Sequence, residues 1–174
     1  MLRNIGKKIA VRALLISGVV KLRRIFFQKK KVTILLLHDP TPESFSSLLQ
    51  ALQQRYNFVA LEEFIRLKRE GKLYRLPDYA AIMTLDDGHK NNYRLLGAIK
   101  KHSVPVTIFI CSEIVTTHRH FWSNYSIPKM QLEALKTLPN SEMLAQLRIF
   151  GYEKLKEYPE RHGLSAQELS EMAA

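Results

Sequence analysis

Cysteine is almost missing from this chain. Cys111 is the one thiol among 174 residues, so no disulfide can close within it and no cysteine-based zinc site can be assembled. It ends the apolar run Thr107-Ile108-Phe109-Ile110, a setting that predicts a buried, inert thiol. A membrane-crossing run is missing too: the uncharged stretch from Ala13 to Val20 is far short of the roughly 20 apolar residues a spanning helix needs. The same stretch makes a poor signal peptide, because Arg12 interrupts the apolar region and no small-residue cleavage site follows. No repeat of fixed period is visible, which excludes solenoid and propeller arrays. Acid is lacking over the first 38 residues, which carry ten Lys and Arg, whereas the remainder carries 17 basic and 16 acidic residues. The net charge of +11 therefore belongs to a basic arm and not to the whole chain. What remains is ordinary globular composition, with 46% hydrophobic and 25% charged residues, enough for one domain with a real core.

The arm covers residues 1–31. Leu2, Ile5, Ile9, Ala13, Ile16 and Val20 recur at spacings of three and four, which predicts one apolar face of a helix. Arg3, Lys7, Lys8, Arg12, Lys21, Arg23 and Arg24 flank that face. A basic amphipathic helix favours an anionic membrane surface or an acidic partner; the alternative is a helix packed on its own domain with a solvated basic face. Nucleic acid is not expected as a partner, because Phe26 and Phe27 form no interleaved stacking pattern with the charges. The expected location is cytoplasmic, or peripheral at the cytoplasmic face of the membrane.

From residue 32 onward, strands and helices alternate, which predicts an α/β domain with a mainly parallel sheet or barrel. Four strands are expected: Val32 to Leu37, Asn57 to Ala60, Ala80 to Thr84 and Val104 to Ile110. The first, third and fourth read as buried. Helices are expected over Ser44 to Tyr56, Leu61 to Glu70 and Tyr93 to Lys101. After Cys111 the pattern becomes helical, with short helices over Lys129 to Thr137, Glu142 to Phe150 and Tyr152 to Tyr158. Ser165-Ala166-Gln167-Glu168 is a capping box that opens a last helix with no closing signal before Ala174, which reads as a domain that continues.

The residues that carry chemistry are Asp86 and Asp87, in Thr84-Leu85-Asp86-Asp87-Gly88-His89. A short apolar run that stops at two acids and a glycine is a buried strand ending in a loop, and such loops hold ligands in α/β proteins. Paired carboxylates are stable there when a cation or a proton separates their charges. One reading is a metal ligand beside a proton acceptor; the other is a turn, for which Asp and Gly are ordinary residues. His38, at the end of the first strand before Asp39-Pro40, is a candidate of the same kind. A phosphoryl-accepting domain would also place acids at a strand end, but it would need a Lys and a Thr or Ser at later strand ends, and past Ile110 only Ser112 offers such a partner.

Three motifs in order resemble the NodB-type polysaccharide deacetylases, carbohydrate esterase family 4. They are Ile34-Leu35-Leu36-Leu37-His38, Thr84-Leu85-Asp86-Asp87-Gly88 followed by Asn92-Tyr93, and Val104-Pro105-Val106-Thr107-Ile108-Phe109. Phe121-Trp122 and the Leu164-Ser165 helix start add to the likeness, which covers residues 32–174. Leu37 stands where the family has Tyr, Leu85 where it has Phe, and His89 where an aromatic is common. The resemblance implies an incomplete, about four-stranded part of a distorted seven-stranded β/α barrel, preceded by the basic helix and followed by the helical segment. Such a part leaves apolar sheet edges open, so the chain is expected to be marginally stable or prone to aggregate.

The reaction implied is hydrolysis of N-acetyl groups on a carbohydrate, an N-acetylated sugar polymer or a glycolipid, by water bound to zinc or a similar divalent metal. By resemblance Asp86 is the base and Asp87 the metal ligand, with His38 and His89 lining the site. The family's His-Ser/Thr-x-x-His motif would come after the Ser165 helix, so the resemblance implies an incomplete ligand set and little or no turnover. His118 and His120 could share a face, but Arg119 between them opposes a dication, and they read as a solvated loop. His102 and His162 read as helix-terminus histidines. The alternative function is a non-catalytic partner protein held at a membrane surface by the arm.

Overall fold

Ala80–Leu85 is buried at every position, and the sheet is built on this strand. The computed structural model describes Leu14 and residues 16–174; the arm positions Leu2, Ile5, Ile9 and Ala13 lie outside the described residues. In chain order the elements are α1 (Val19–Arg23), continued by a π-helical turn over Arg24–Gln28, β1 (Thr33–Leu37), α2 (Pro42–Gln53), β2 (Asn57–Phe58), α3 (Leu61–Arg69), β3 (Ala80–Leu85), a 3-10 segment Lys90–Leu95 running into α4 (Leu96–His102), β4 (Val106–Ile108), α5 (Lys129–Leu135), α6 (Asn140–Ile149) and α7 (Ala166–Ala173). The chain is mixed α/β with a four-stranded parallel sheet, in which β3 pairs with β1, β2 and β4. Register between β2 and β3 sets Asn57 opposite Ala80 and Phe58 opposite Ala81.

The described residues form two compact units. One takes the chain up to Leu35 with residues 46–84 and 102–107; the other takes residues 36–45, 85–101 and 108–174. In the first, Leu67, Leu76 and Ala80 form a buried cluster with Val32, Val59 and Phe64 packed on it. Thr84, buried at the polar end of an apolar strand, is satisfied by donating to the Leu35 carbonyl at 3.1 Å. The α1 segment is tied on by Arg24, which donates to the Arg55 carbonyl and lies over the Tyr79 ring at 4.5 Å. Lys29 and Lys30 pair with Asp78 at 3.6 and 2.6 Å.

In the second unit, Leu135, Leu147 and Tyr152 form the core of a helical cluster that includes Trp122, Tyr125 and Leu138. Pro128 and Pro139 stand at the N-caps of α5 and α6, where a missing N–H forfeits no intrahelical bond. The Ser165 capping box forms: the Ser165 hydroxyl accepts from the Glu168 N–H at 3.1 Å, and the Ser165 N–H donates to the Glu168 carboxylate at 2.8 Å.

Three expectations need correction. β1 is not buried: its pattern alternates, and Ile34 and Leu36 are exposed. It pairs with β3 at an edge of the sheet, and the face carrying Ile34 and Leu36 is left largely open among the described residues. Phe109 and Ile110 are likewise exposed, and β4 is shorter than its apolar run. Residues 152–158 form no helix. Their polar groups go elsewhere: the Tyr158 N–H donates to the His118 carbonyl at 3.1 Å, and the Tyr158 and Tyr125 hydroxyls meet at 2.7 Å. A backbone spent on another segment cannot also close i to i−4 bonds.

The capping box makes a pH prediction. Arg161 lies 2.6 Å from Glu168 and, with Ser165, holds the Glu168 carboxyl down from 4.5 to about 2. A depressed native pKa stabilises the fold above the unfolded value and loses that stabilisation as pH falls through the native one. Between about pH 5 and pH 2 the wild type should therefore lose on the order of 1–3 kcal/mol more than Glu168→Gln does. Urea unfolding of both proteins across that range checks it; parallel curves would refute the coupling.

Candidate functional site

The loop after β3 is fastened through its backbone. The Asp86 N–H donates to the Leu37 carbonyl at 2.8 Å, the Asp87 carbonyl accepts from the Cys111 N–H at 3.1 Å, and the Gly88 carbonyl accepts from the Leu164 N–H at 2.9 Å. Three successive residues thus bond to three separate stretches of the second unit. Asp87 and Gly88 both take left-handed backbone angles, φ 69° and 71°. Asp tolerates this region better than most residues and Gly occupies it freely. Gly88 has a second reason to lack a side chain: a Cβ there would lie 3.0 Å from the Cγ2 atoms of Ile110 and Val115.

This backbone sends the two acids to different histidines. The Asp86 carboxylate lies 3.9 Å from Nε2 of His38, and the Asp87 carboxylate lies 3.4 Å from Nε2 of His89. Asp86, Asp87, His38 and His89 are therefore brought together in one unit as two acid–imidazole pairs. His89 is only 13% exposed at its side chain, against 60% for His38. Phe121 holds the His89 ring at a centroid distance of 4.4 Å, and an isolated bridge joins His89 to Gly163.

Asn92 fixes the His38 loop. It is fully buried, and its Nδ2 donates to the His38 carbonyl at 3.0 Å, while its Oδ1 has no partner. Alongside it, Asn91 donates to the Asp39 carboxylate at 3.1 Å. Sequence reasoning used Asn92 only as part of a motif; no local signal marks it as a buried clamp.

A cleft of about 660 Å³ opens beside these groups, lined by His38, Asp87, His89 and Trp122 among others. Asp86 is outside its lining. Lys136, Lys154, Asp39 and Glu113 also reach it, so it is polar with charges of both signs. Cys111 is half-buried and lines the same cleft, contrary to the expected burial.

The remaining histidines are held elsewhere. Nδ1 of His118 lies 3.0 Å from the Tyr158 carbonyl, and His120 stacks on Tyr158 at 3.9 Å and on His162 at 3.5 Å. The 118–120 loop is thus pinned by side-chain contacts while His118 stays exposed, with Arg119 engaged by Glu157 at 3.2 Å. Burial, then His120, Lys90 and His89, push the His162 pKa down, which favours the neutral ring a stacked imidazole pair needs. His102 does end a helix, with Ser46 Oγ and Gln53 Oε1 at 3.1 and 2.9 Å from its ring nitrogens.

No group of three His, Cys, Asp or Glu able to hold a metal ion occurs among the described residues. Asp87 with His89, and Asp86 with His38, are donor pairs, short of the three protein ligands a catalytic zinc takes. Among the described residues these pairs fall short of a complete metal centre of that kind.

Gly88→Ala tests how firmly this loop is set. Strained φ and the two methyl contacts together should destabilise the protein by roughly 1–3 kcal/mol. A denaturant midpoint within error of wild type would show that the loop relaxes freely.

No protein-family model matches the chain, and no curated protein matches it. A solved structure described as probing the structure and mechanism of a de-N-acetylase from Aggregatibacter actinomycetemcomitans is similar to it, at 17% identity and a TM-score of 0.47, over 82% of this chain and 50% of that one. The chain spans half the length of that solved protein.

Proposed function

We propose that residues 32–174 form the acid-bearing part of a carbohydrate de-N-acetylase of NodB type, its sheet a portion of a distorted β/α barrel. The observation that carries this reading is the pairing of each acid of Thr84-Leu85-Asp86-Asp87-Gly88 with its own histidine in one unit. The order of the three motifs supports it independently. The substrate class is an N-acetylated sugar polymer or glycolipid, and the cleft beside Asp87, with Trp122 on its lining, suits a pyranose ring stacked on an aromatic face.

In this reading water adds to the acetamide carbonyl carbon, the C–N bond breaks, and acetate and a free amine leave. Asp86 is the proton acceptor for that water, oriented beside His38. Asp87 is the carboxylate offered to a divalent metal such as zinc, whose chemistry when bound is to acidify water and polarise the carbonyl. With donor pairs alone among the described residues, no step is assigned to it.

The test has two readouts. Binding of N-acetylglucosamine oligomers, followed by titration calorimetry, should weaken about two- to tenfold in Trp122→Ala, the loss of one aromatic contact. Acetate release with added zinc or cobalt should stay at background, since two-membered donor pairs do not make an open three-ligand centre. Absence of any oligosaccharide binding would sink the carbohydrate reading. Turnover abolished by Asp86→Asn would instead overturn the expectation of an incomplete centre while keeping the reaction class.

A further inference from the structure

An amphipathic helix normally hides its apolar side. The segment from Ile16 to Phe27 does the opposite: Ile16 is 85% exposed, Phe26 75%, Phe27 62% and Leu22 55%, and Val19, Val20 and Ile25 are exposed as well. No residue of its π-helical turn is buried. Within the first unit it lies beside α2 across an open groove of about 990 Å³, with Val20 and Phe27 on one wall and Leu48 and Leu52 on the other. A run of bare apolar side chains of this size marks a surface meant for something else.

Charge decides what that something is. The first 38 residues hold ten Lys and Arg and no acid. Of the described basic groups here, Lys29 and Lys30 are partly neutralised by Asp78, whereas Arg23 and Lys31 are exposed. A second copy of the chain would bring the same positive charge to the same apolar patch, so self-pairing is opposed. A nucleic acid would meet the charge but leave adjacent Phe26 and Phe27 without an interleaved stacking arrangement. An anionic lipid surface takes both features at once: aromatic and aliphatic side chains enter the acyl boundary while Lys and Arg remain among the headgroups. No helix among the described residues is long and apolar enough to cross a membrane, so the mode is lying on the surface.

We propose that the segment Ile16–Lys31 is a docking surface for an anionic lipid bilayer. This stands apart from the reading of the acid loop, and either can fail without the other.

The experiment is sedimentation of the full 174-residue chain with phosphatidylcholine vesicles, with and without phosphatidylglycerol, at low and high salt. Binding should require phosphatidylglycerol and weaken as salt screens the headgroups. It should also fall at least about tenfold in Phe26→Asp and in Ile16→Asp, which remove an inserted side chain and add an opposing charge. Both positions are exposed, and unchanged far-ultraviolet dichroism confirms that the variants fold. Equal binding to neutral vesicles, or none to either, overturns the proposal. So does anionic binding that both variants retain, since charge alone would then suffice, as it would for an RNA. Self-association by ultracentrifugation that Phe26→Asp abolishes, without lipid binding, assigns the face to a second copy and overturns it too.

Discussion

The acid loop depends on its backbone being held from three directions. Leu37, Cys111 and Leu164 each engage one of the residues 86 to 88. Any one of these bonds would leave the loop free to pivot; the three together fix both the position and the twist of the chain. That is why a non-glycine residue can occupy φ 69° at Asp87 when most side chains disfavour that region. It is also why Gly88 has no room for a methyl group. The divergence of the two carboxylates follows: neighbouring residues at a strand end would ordinarily point to opposite sides, and here the turn sends each to a different imidazole.

How much of this was legible in the residues varies with the origin of the constraint. β3 was readable because a central strand buried on both faces is near-continuously apolar, as Ala80 to Met83 is before Thr84. The α7 start was readable because a capping box is a local device whose partners lie three residues apart. β1 misled because its composition is that of a buried strand, yet burial needs a neighbour, and no periodicity reports whether one exists. Residues 152–158 misled for a related reason: helical spacing was present, but Tyr152 belongs to a core made with Leu135 and Leu147. Asn92 and the His120–His162 stack were out of reach altogether, because each joins residues about 40 to 54 positions apart and no pattern within a window can show that.

The same distinction separates the first described segment from the central strand. Ile16 to Phe27 and Ala80 to Leu85 are both rich in apolar residues, with opposite outcomes: every large apolar side chain of the first is exposed, and every residue of the second is buried. Hydrophobic area drives burial only where some surface is available to receive it. For β3 part of that surface is what packs over it, such as Leu67 and Leu76 against Ala80. For the helical segment the chain supplies one open groove and a surplus of positive charge. Positive charge disfavours closing the groove with another basic element, and the apolar side chains of the segment stay exposed.

Asp87-Gly88 could be an ordinary turn, since Asp and Gly are frequent where φ is positive. A turn, however, asks only that its own four residues be satisfied. It gives no reason for Cys111 and Leu164 to reach across the unit to the carbonyls of Asp87 and Gly88, nor for a fully buried Asn92 to spend its amide holding the His38 carbonyl while its own Oδ1 has no partner. Burying a side-chain amide costs free energy that its hydrogen bond to the His38 carbonyl must offset. Structures keep such a cost where it positions something. Here the groups beside these contacts are His38 with Asp86 and His89 with Asp87, so the same bonds that shape the turn also fix where two acid–imidazole pairs stand.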